Sequence, residues 1–282
     1  MGVMELYTLC FVDIDPKTDP ANFDVTQLQG WDLDPAIQTL LMKGSGEVDS
    51  TFVAQEYLAP VLSFRTTQIA DILDNLGITG IQIDSGINNP GLVAGLKQIA
   101  EGATRTSGAT HMSFTVKEGL LIPVSLTATQ NGGPAVITCQ CLCTCDGTNA
   151  PVVIASGVSI GITPSASIGW ELGPASINGT SMSGVQSLTI NFGITPVVMG
   201  GDGEEFPTFA AVMARSPRIT LAVAKTSYLA TLQLGAAQAA TDSVVSLRKL
   251  AEGGARVPEA TAEHITFTVD EGIIQPGVQS FA

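Results

Sequence analysis

Along much of this chain, apolar residues fall at every second position, the period of a β-strand with one face covered. The sharpest case is "ITCQCLCTC", where Ile137, Cys139, Cys141, Cys143 and Cys145 share one face. Thr138, Gln140 and Thr144 share the other, Asp146 continues it, and Leu142 is the exception. Turn sequences flank this strand, Asn131-Gly132 before it and Asp146-Gly147 after it. "HMSFTV" and "HITFTV" alternate in the same way. Met112, Phe114 and Val116 are read inward, with His111, Ser113, Thr115 and Lys117 outward. Ile265, Phe267 and Val269 are read inward against His264, Thr266, Thr268 and Asp270. Further strands are expected near "APVLSFRT" and "SPRITLAVA".

Other stretches carry helical spacing. Thr67 is a candidate cap, Ile69, Leu73 and Leu76 line one face, and Gly77 closes the turn. Asn89-Pro90 reads as a cap and a first-turn proline. The stripe Leu92, Val93, Leu96, Ile99 and Ala100 follows, with Gly102 as terminator. Asp242 with Val244, Leu247, Leu250 and Ala251 predicts a matching helix. On such helices Lys97 and Glu101, and Arg248 and Glu252, stand four apart as weak exposed pairs.

The matching is general, because the chain repeats itself. "TFVAQEYLAP" from Thr51 aligns with "TFAAVMARSP" from Thr208, each behind a Gly-Glu turn at Gly46-Glu47 and Gly203-Glu204. Gly77 aligns with Gly235. "LKQIAEGATR" aligns with "LRKLAEGGAR", bringing Arg105 onto Arg256. "HMSFTVKEGLLIP" aligns with "HITFTVDEGIIQP", so the two histidines, His111 and His264, coincide. The fold expected is mainly β with short helices (α+β), as two tandem β-sandwich units from an internal duplication. The first is placed at residues 1–163 and the second at 164–282. The first copy runs on into "VSLTATQNGGPAVITCQCLCTC" and the second does not. A sheet edge is thus expected to stay open, which invites a partner.

Composition sharpens this expectation. Hydrophobic residues make up 45% and charged residues 13%, about half the usual charged share of roughly 25%. The net charge of −14 reflects scarce Lys and Arg, which excludes gripping DNA through clustered cations. Between Gly119 and Gly201 only Asp146 and Glu171 are charged. Pro, Gly, Ser and Asn interrupt that stretch too often for a membrane helix. Its uncharged surface is expected to lie against other protein. The opening "MGVMELYTLC" carries no basic signal sequence, so a reducing, cytoplasm-like compartment is expected.

Candidate chemistry is sparse. Alternate cysteines on an extended strand stand about 7 Å apart, while a disulfide brings Cβ atoms to about 4 Å. The cysteines are therefore read as core, since a free thiol packs as a small hydrophobe. "DIDPKTDPANFD" spaces Asp13, Asp15, Asp19 and Asp24 like a calcium loop. Its sixth position is Thr18 instead of Gly and its twelfth is Asp24 instead of Glu, so a solvated acidic turn is expected. No phosphate-loop, dinucleotide, zinc-protease or serine-hydrolase motif occurs. The histidines are repeat-equivalent, hence structural. No catalytic, cofactor or metal residue is assigned, and the chain is read as a non-enzyme. Arg105 and Arg256 are candidate contacts between subunits.

The run "HMSFTVKEGLLIPVSLTATQNGGPAVITCQCLCTCDGTNAPV", with "GDGEEFPTFAAVMARSPRITL", resembles tail-tube proteins of long-tailed bacterial viruses. The resemblance implies a β-sandwich flanked by helix, in rings of six units stacked into a hollow tube. Members similar in carrying two units per chain form trimeric rings with pseudo-sixfold symmetry. It implies a virion protein assembled in the host cytoplasm, with itself and tape-measure, terminator and distal-tail proteins as partners. Viral DNA would pass through unbound, with Glu118, Asp270 and Glu271 as candidate lumen acids. Alternatives of the same fold are distal-tail, baseplate and tail-cap proteins. A carbohydrate-binding β-sandwich is a further alternative, though Trp31 and Trp170 are the only tryptophans.

Overall fold

The computed structural model describes residues 6–17, 22–46, 48–50, 52–84, 91–99, 110–148, 150–161, 168–225, 238–251 and 264–275. In chain order the strands begin with β1 (Leu6–Ile14), β2 (Phe23–Val25), β3 (Leu28–Asp34), β4 (Ile37–Met42), β5 (Phe52–Leu58) and β6 (Val61–Thr66). Helix α1 (Ile69–Leu76) follows, then β7 (Ile81–Asp84), β8 (Leu92–Ile99), β9 (His111–Val116), β10 (Glu118–Thr129), β11 (Val136–Thr144) and β12 (Val152–Val158). Next come β13 (Ile168–Ile177), β14 (Thr180–Met182), β15 (Val185–Asn191), β16 (Ile194–Met199), β17 (Phe209–Arg215) and β18 (Arg218–Val223). The last are β19 (Gln238–Ala240), β20 (Ser243–Ala251), β21 (Ile265–Val269) and β22 (Gly272–Ile274). The chain is mainly β, in antiparallel sheets, as its alternation predicts.

Packing divides the chain into two compact units. Unit 1 holds Met1–Ser125, Ile137–Ala166 and Phe192–Pro217; unit 2 holds Leu126–Val136, Ser167–Asn191 and Arg218–Ala282. The units therefore interleave in sequence, and the position expected to separate two halves, 163/164, lies outside the described residues.

Unit 1 has a five-stranded sheet in the order β12-β9-β8-β1-β2. In its second sheet β11 lies between β10 and β6, β3 flanks β6, and β7 pairs with β10. The Trp31 ring of β3 meets the Phe114 ring of β9 at 4.7 Å. Val12, Ile14, Leu62, Phe64, Leu92, Leu121, Ile137 and Cys139 are buried. Helix α1 buries Ile69, Ile72 and Leu76, and Gly77 ends it at positive φ with its N–H bonded to the Leu73 carbonyl. The N-cap is Gln68 without a side-chain cap bond. Thr67, the expected cap, instead donates its hydroxyl to Gln27.

Two predicted helices are strands. Leu92–Ile99 is β8, hydrogen-bonded to β1 on one side and β9 on the other. Ser243–Ala251 is β20, between β13 and β21. A short apolar run satisfies a helical stripe and a covered central strand equally well, so periodicity could not separate them. Pairing on both edges supplies the backbone partners that decide the matter. The supposed helical ion pairs go with the helices; Glu101, Glu252, the stripe residue Ala100 and the expected helix ends at Asn89, Pro90 and Gly102 lie outside the described residues.

In unit 2, β14-β13-β20-β21 form one sheet, and β15 pairs with β18. Gln130, just beyond β10, donates its N–H to the Gln186 carbonyl at 2.8 Å. β19 pairs with β22. Trp170, Leu172, Met182, Leu188, Ile190, Val245 and Leu247 are buried.

Candidate assembly surface

Two antiparallel hairpins, β4–β5 and β16–β17, carry much of the exposed apolar surface. Both belong to unit 1. They differ in what covers them. In β16–β17, Ala210 packs with Leu120 and Ile122 of β10 and Leu142 of β11, and Ile194, Val198 and Val212 lie against the same cluster. Polar bonds hold the seat: Gln82 Nε2 donates to the Ala210 carbonyl at 2.8 Å, and the Cys145 N–H donates to the Pro207 carbonyl at 2.7 Å. The opposite face leaves Met199, Phe209 and Met213 exposed.

The β4–β5 hairpin is anchored at its base. The Leu58 N–H donates to the Glu205 carbonyl at 2.9 Å, and the Gln55 amide bonds the Glu205 carboxylate. The hairpin presents Ile37, Leu41 and Val53 at 54%, 59% and 65% exposure, with Leu40, Met42 and Phe52 also exposed. Both strands carry apolar residues on both faces, and β4 is exposed throughout. An apolar strand face needs a cover, and among the described residues β4–β5 shows none over these positions. Nothing in the local sequence tells a strand covered by its own chain from one left open.

The cysteine strand is architecture. Cys139, Cys141 and Cys143 are buried on β11, and all five cysteines are free. Leu142 and Thr144 are buried as well, so β11 is covered on both faces toward its end. Burial pushes the Cys139 thiol well up; the hydrogen bond with Cys143, and then burial, push Cys141 up. Such thiols stay protonated and unreactive.

His111, read as outward, is instead buried; its Nδ1 accepts the Gln98 N–H at 3.2 Å. Burial, then the Lys97 charge, lowers its pKa. His264 accepts the Lys249 N–H at 3.3 Å in the same way. Both rings close a strand pairing, which their sequence position signals only through their repetition.

The acidic turn is partly buried, against expectation. Asp15 is buried and Asp13 half-buried, with Asp24 opposite Asp13 across β1–β2. Burial first, then the charges of Asp15 and Asp24, push Asp13 up to about 6. Asp19 lies outside the described residues. No group of three metal-ligating side chains is placed to hold an ion among the described residues.

The remaining candidates are scattered. Glu118 stands opposite Asp84 at the β7–β10 pairing, and Lys17 bridges Asp84 at 2.9 Å. Burial, then Asp84, raises the Glu118 pKa, while Lys17 opposes. Asp270 and Glu271 are exposed in the β21–β22 turn. Arg105 and Arg256 lie outside the described residues. No described helix is long and apolar enough to cross a membrane. No family matches this chain, and no curated protein matches it.

Proposed function

We propose that the chain is a structural subunit built of two copies of one β module, and that it self-assembles as the tail tube of a long-tailed virus. The observation that carries this reading is the pair of hairpins with one register and apolar faces turned to solvent. Ile37 pairs with Leu58, and Ile194 with Arg215. Each pairing shifts register after its second rung, and the two hairpins stand 157 positions apart.

The rest of the chain supports the duplication in the same terms. β3–β6 runs from Leu28↔Thr66 to Asp34↔Val61, and β15–β18 from Val185↔Val223 to Asn191↔Arg218, at the same interval. β8–β9 pairs Leu92 with Val116 and Leu96 with Met112, as β20–β21 pairs Ser243 with Val269 and Leu247 with Ile265. The irregularity after Leu9 in β1–β8 recurs after Leu172 in β13–β20. β7–β10 and β19–β22 correspond through Ile83↔Gly119 and Ala240↔Gly272. A slip of one residue would turn every side chain to the other face, so shared registers are demanding matches.

Exposed apolar hairpins on a chain with so few charges favour docking onto further copies. The net charge of −14 suits a conduit for DNA, since like charge keeps the duplex off the wall. Asp270 and Glu271, both exposed, are the acids best placed to face a lumen; Glu118 is half-buried beside Asp84 and contributes less. Electron microscopy of the purified chain tests the reading. Long tubes with threefold, pseudo-sixfold rings are expected, and they should not retain DNA at low salt. Isolated rings would favour a distal-tail or baseplate component, and permanent monomers would end the proposal.

A further inference from the structure

We infer that the β4–β5 hairpin of one copy docks onto unit 2 of a second copy, on the exposed patch of Ala239 and Ile273, making a head-to-tail contact. The inference rests on the duplicated-module reading, which supplies the correspondence between positions. It starts from a contact already made inside the chain. The β16–β17 hairpin is seated on unit 1, where Leu120 of β10 is 3% exposed beneath it. Gln82, the cross-strand partner of Leu120, also reaches this hairpin through the Ala210 carbonyl.

Each module should offer one hairpin and one seat. The counterparts of Leu120 and Gln82 are Ile273 and Ala239, which are likewise cross-strand partners. Ile273 is 68% exposed and Ala239 is exposed as well. The counterparts of the seated residues Ile194, Val198 and Ala210 are Ile37, Leu41 and Val53, the open side chains of β4–β5. One hairpin and one seat are therefore satisfied within the chain, and one hairpin and one seat are left. The leftover pair matches the satisfied pair at Ile37, Leu41, Val53 and Ile273, while Gln55 and Gln275 stand for the seated Val212 and Ile122; the apolar part of the match points to a second copy of this chain as the occupant. Donor and acceptor are different surfaces, so the contact is heterologous and propagates until a ring closes.

The donor and acceptor residues are exposed, so carboxylates there leave the fold intact, which far-UV circular dichroism checks. Sedimentation velocity of the full chain then compares wild type, Leu41→Asp/Val53→Asp, and Ile273→Asp. A buried, unpaired carboxylate should weaken association by roughly 100-fold or more, leaving each variant monomeric where wild type assembles. Mixing the two variants should give a dimer and nothing larger, because one intact hairpin meets one intact seat. Either variant assembling as wild type does, or a mixture that stays monomeric, overturns the docking while leaving self-assembly standing. A wild type that never associates overturns both.

Discussion

Asp13 stores a pH dependence in the first strand. It faces Asp24 across β1–β2 and stands two residues from Asp15, and its pKa is about 6 when folded against an ordinary 3.8. The folded state therefore holds the proton more tightly than the unfolded chain, and stability falls as pH rises through about 4 to 6. Two pKa units correspond to about 3 kcal/mol. Asp13 is half-exposed, and solvent screening reduces this to about 1 kcal/mol. Asp13→Asn should thus raise the melting temperature at about pH 8 and change it little at about pH 4. His111 contributes with the opposite sign, since its lowered pKa gives stability that is lost as pH falls. The comparison must therefore be made between the two proteins at each pH, by thermal melts followed in circular dichroism. Equal melting temperatures at high pH would remove Asp13 as the source.

At the level of elements, turns and alternating strands were legible, the covered central β11 among them, and the non-alternating runs of β8 and β20 were not. Asn131 and Gly133 take positive φ in the β10–β11 turn, and Thr148 bonds Asp146 in the next, as those residue types demand. β21 alternates as read, with Thr266 and Thr268 exposed. β8 deceives because both edges are paired and Leu92, Ala94 and Gly95 are all buried. One substitution separates the two readings of this segment. In a helix Gly95→Ala would stabilise by about 1 kcal/mol. In the strand a new Cβ collides with the Phe11 ring, and overpacking of this kind costs about 1–3 kcal/mol. A lower midpoint in urea unfolding is expected; a higher one would restore the helix. On the proposed duplication the corresponding site resolves the crowding differently, with Ser246 and, on β13, Gly173 and Pro174. The candidate site was legible only as a repeated sequence. That one hairpin is seated while its counterpart stays open depends on long-range packing that no local pattern encodes.

For the whole molecule, the two hairpins sort their apolar residues into two classes, and the classes imply different contacts. Ile37, Leu41 and Val53 are open where Ile194, Val198 and Ala210 are covered, which suits a docking made once inside the chain and once between chains. Met42 and Phe52 are open, and so are their counterparts Met199 and Phe209. A position exposed in both hairpins is not satisfied by the docking that seats β16–β17. On the proposed reading as a tube of duplicated modules, it is left for the contact between successive rings. Adjacent residues on a strand point to opposite faces, so Leu41 and Met42 can be altered independently. Met42→Asp combined with Met199→Asp should leave rings intact and prevent their stacking, because each new carboxylate would be buried unpaired at the contact. Electron microscopy reads the outcome as rings or tubes. Tubes of normal length from the double variant would show that these methionines do not join rings.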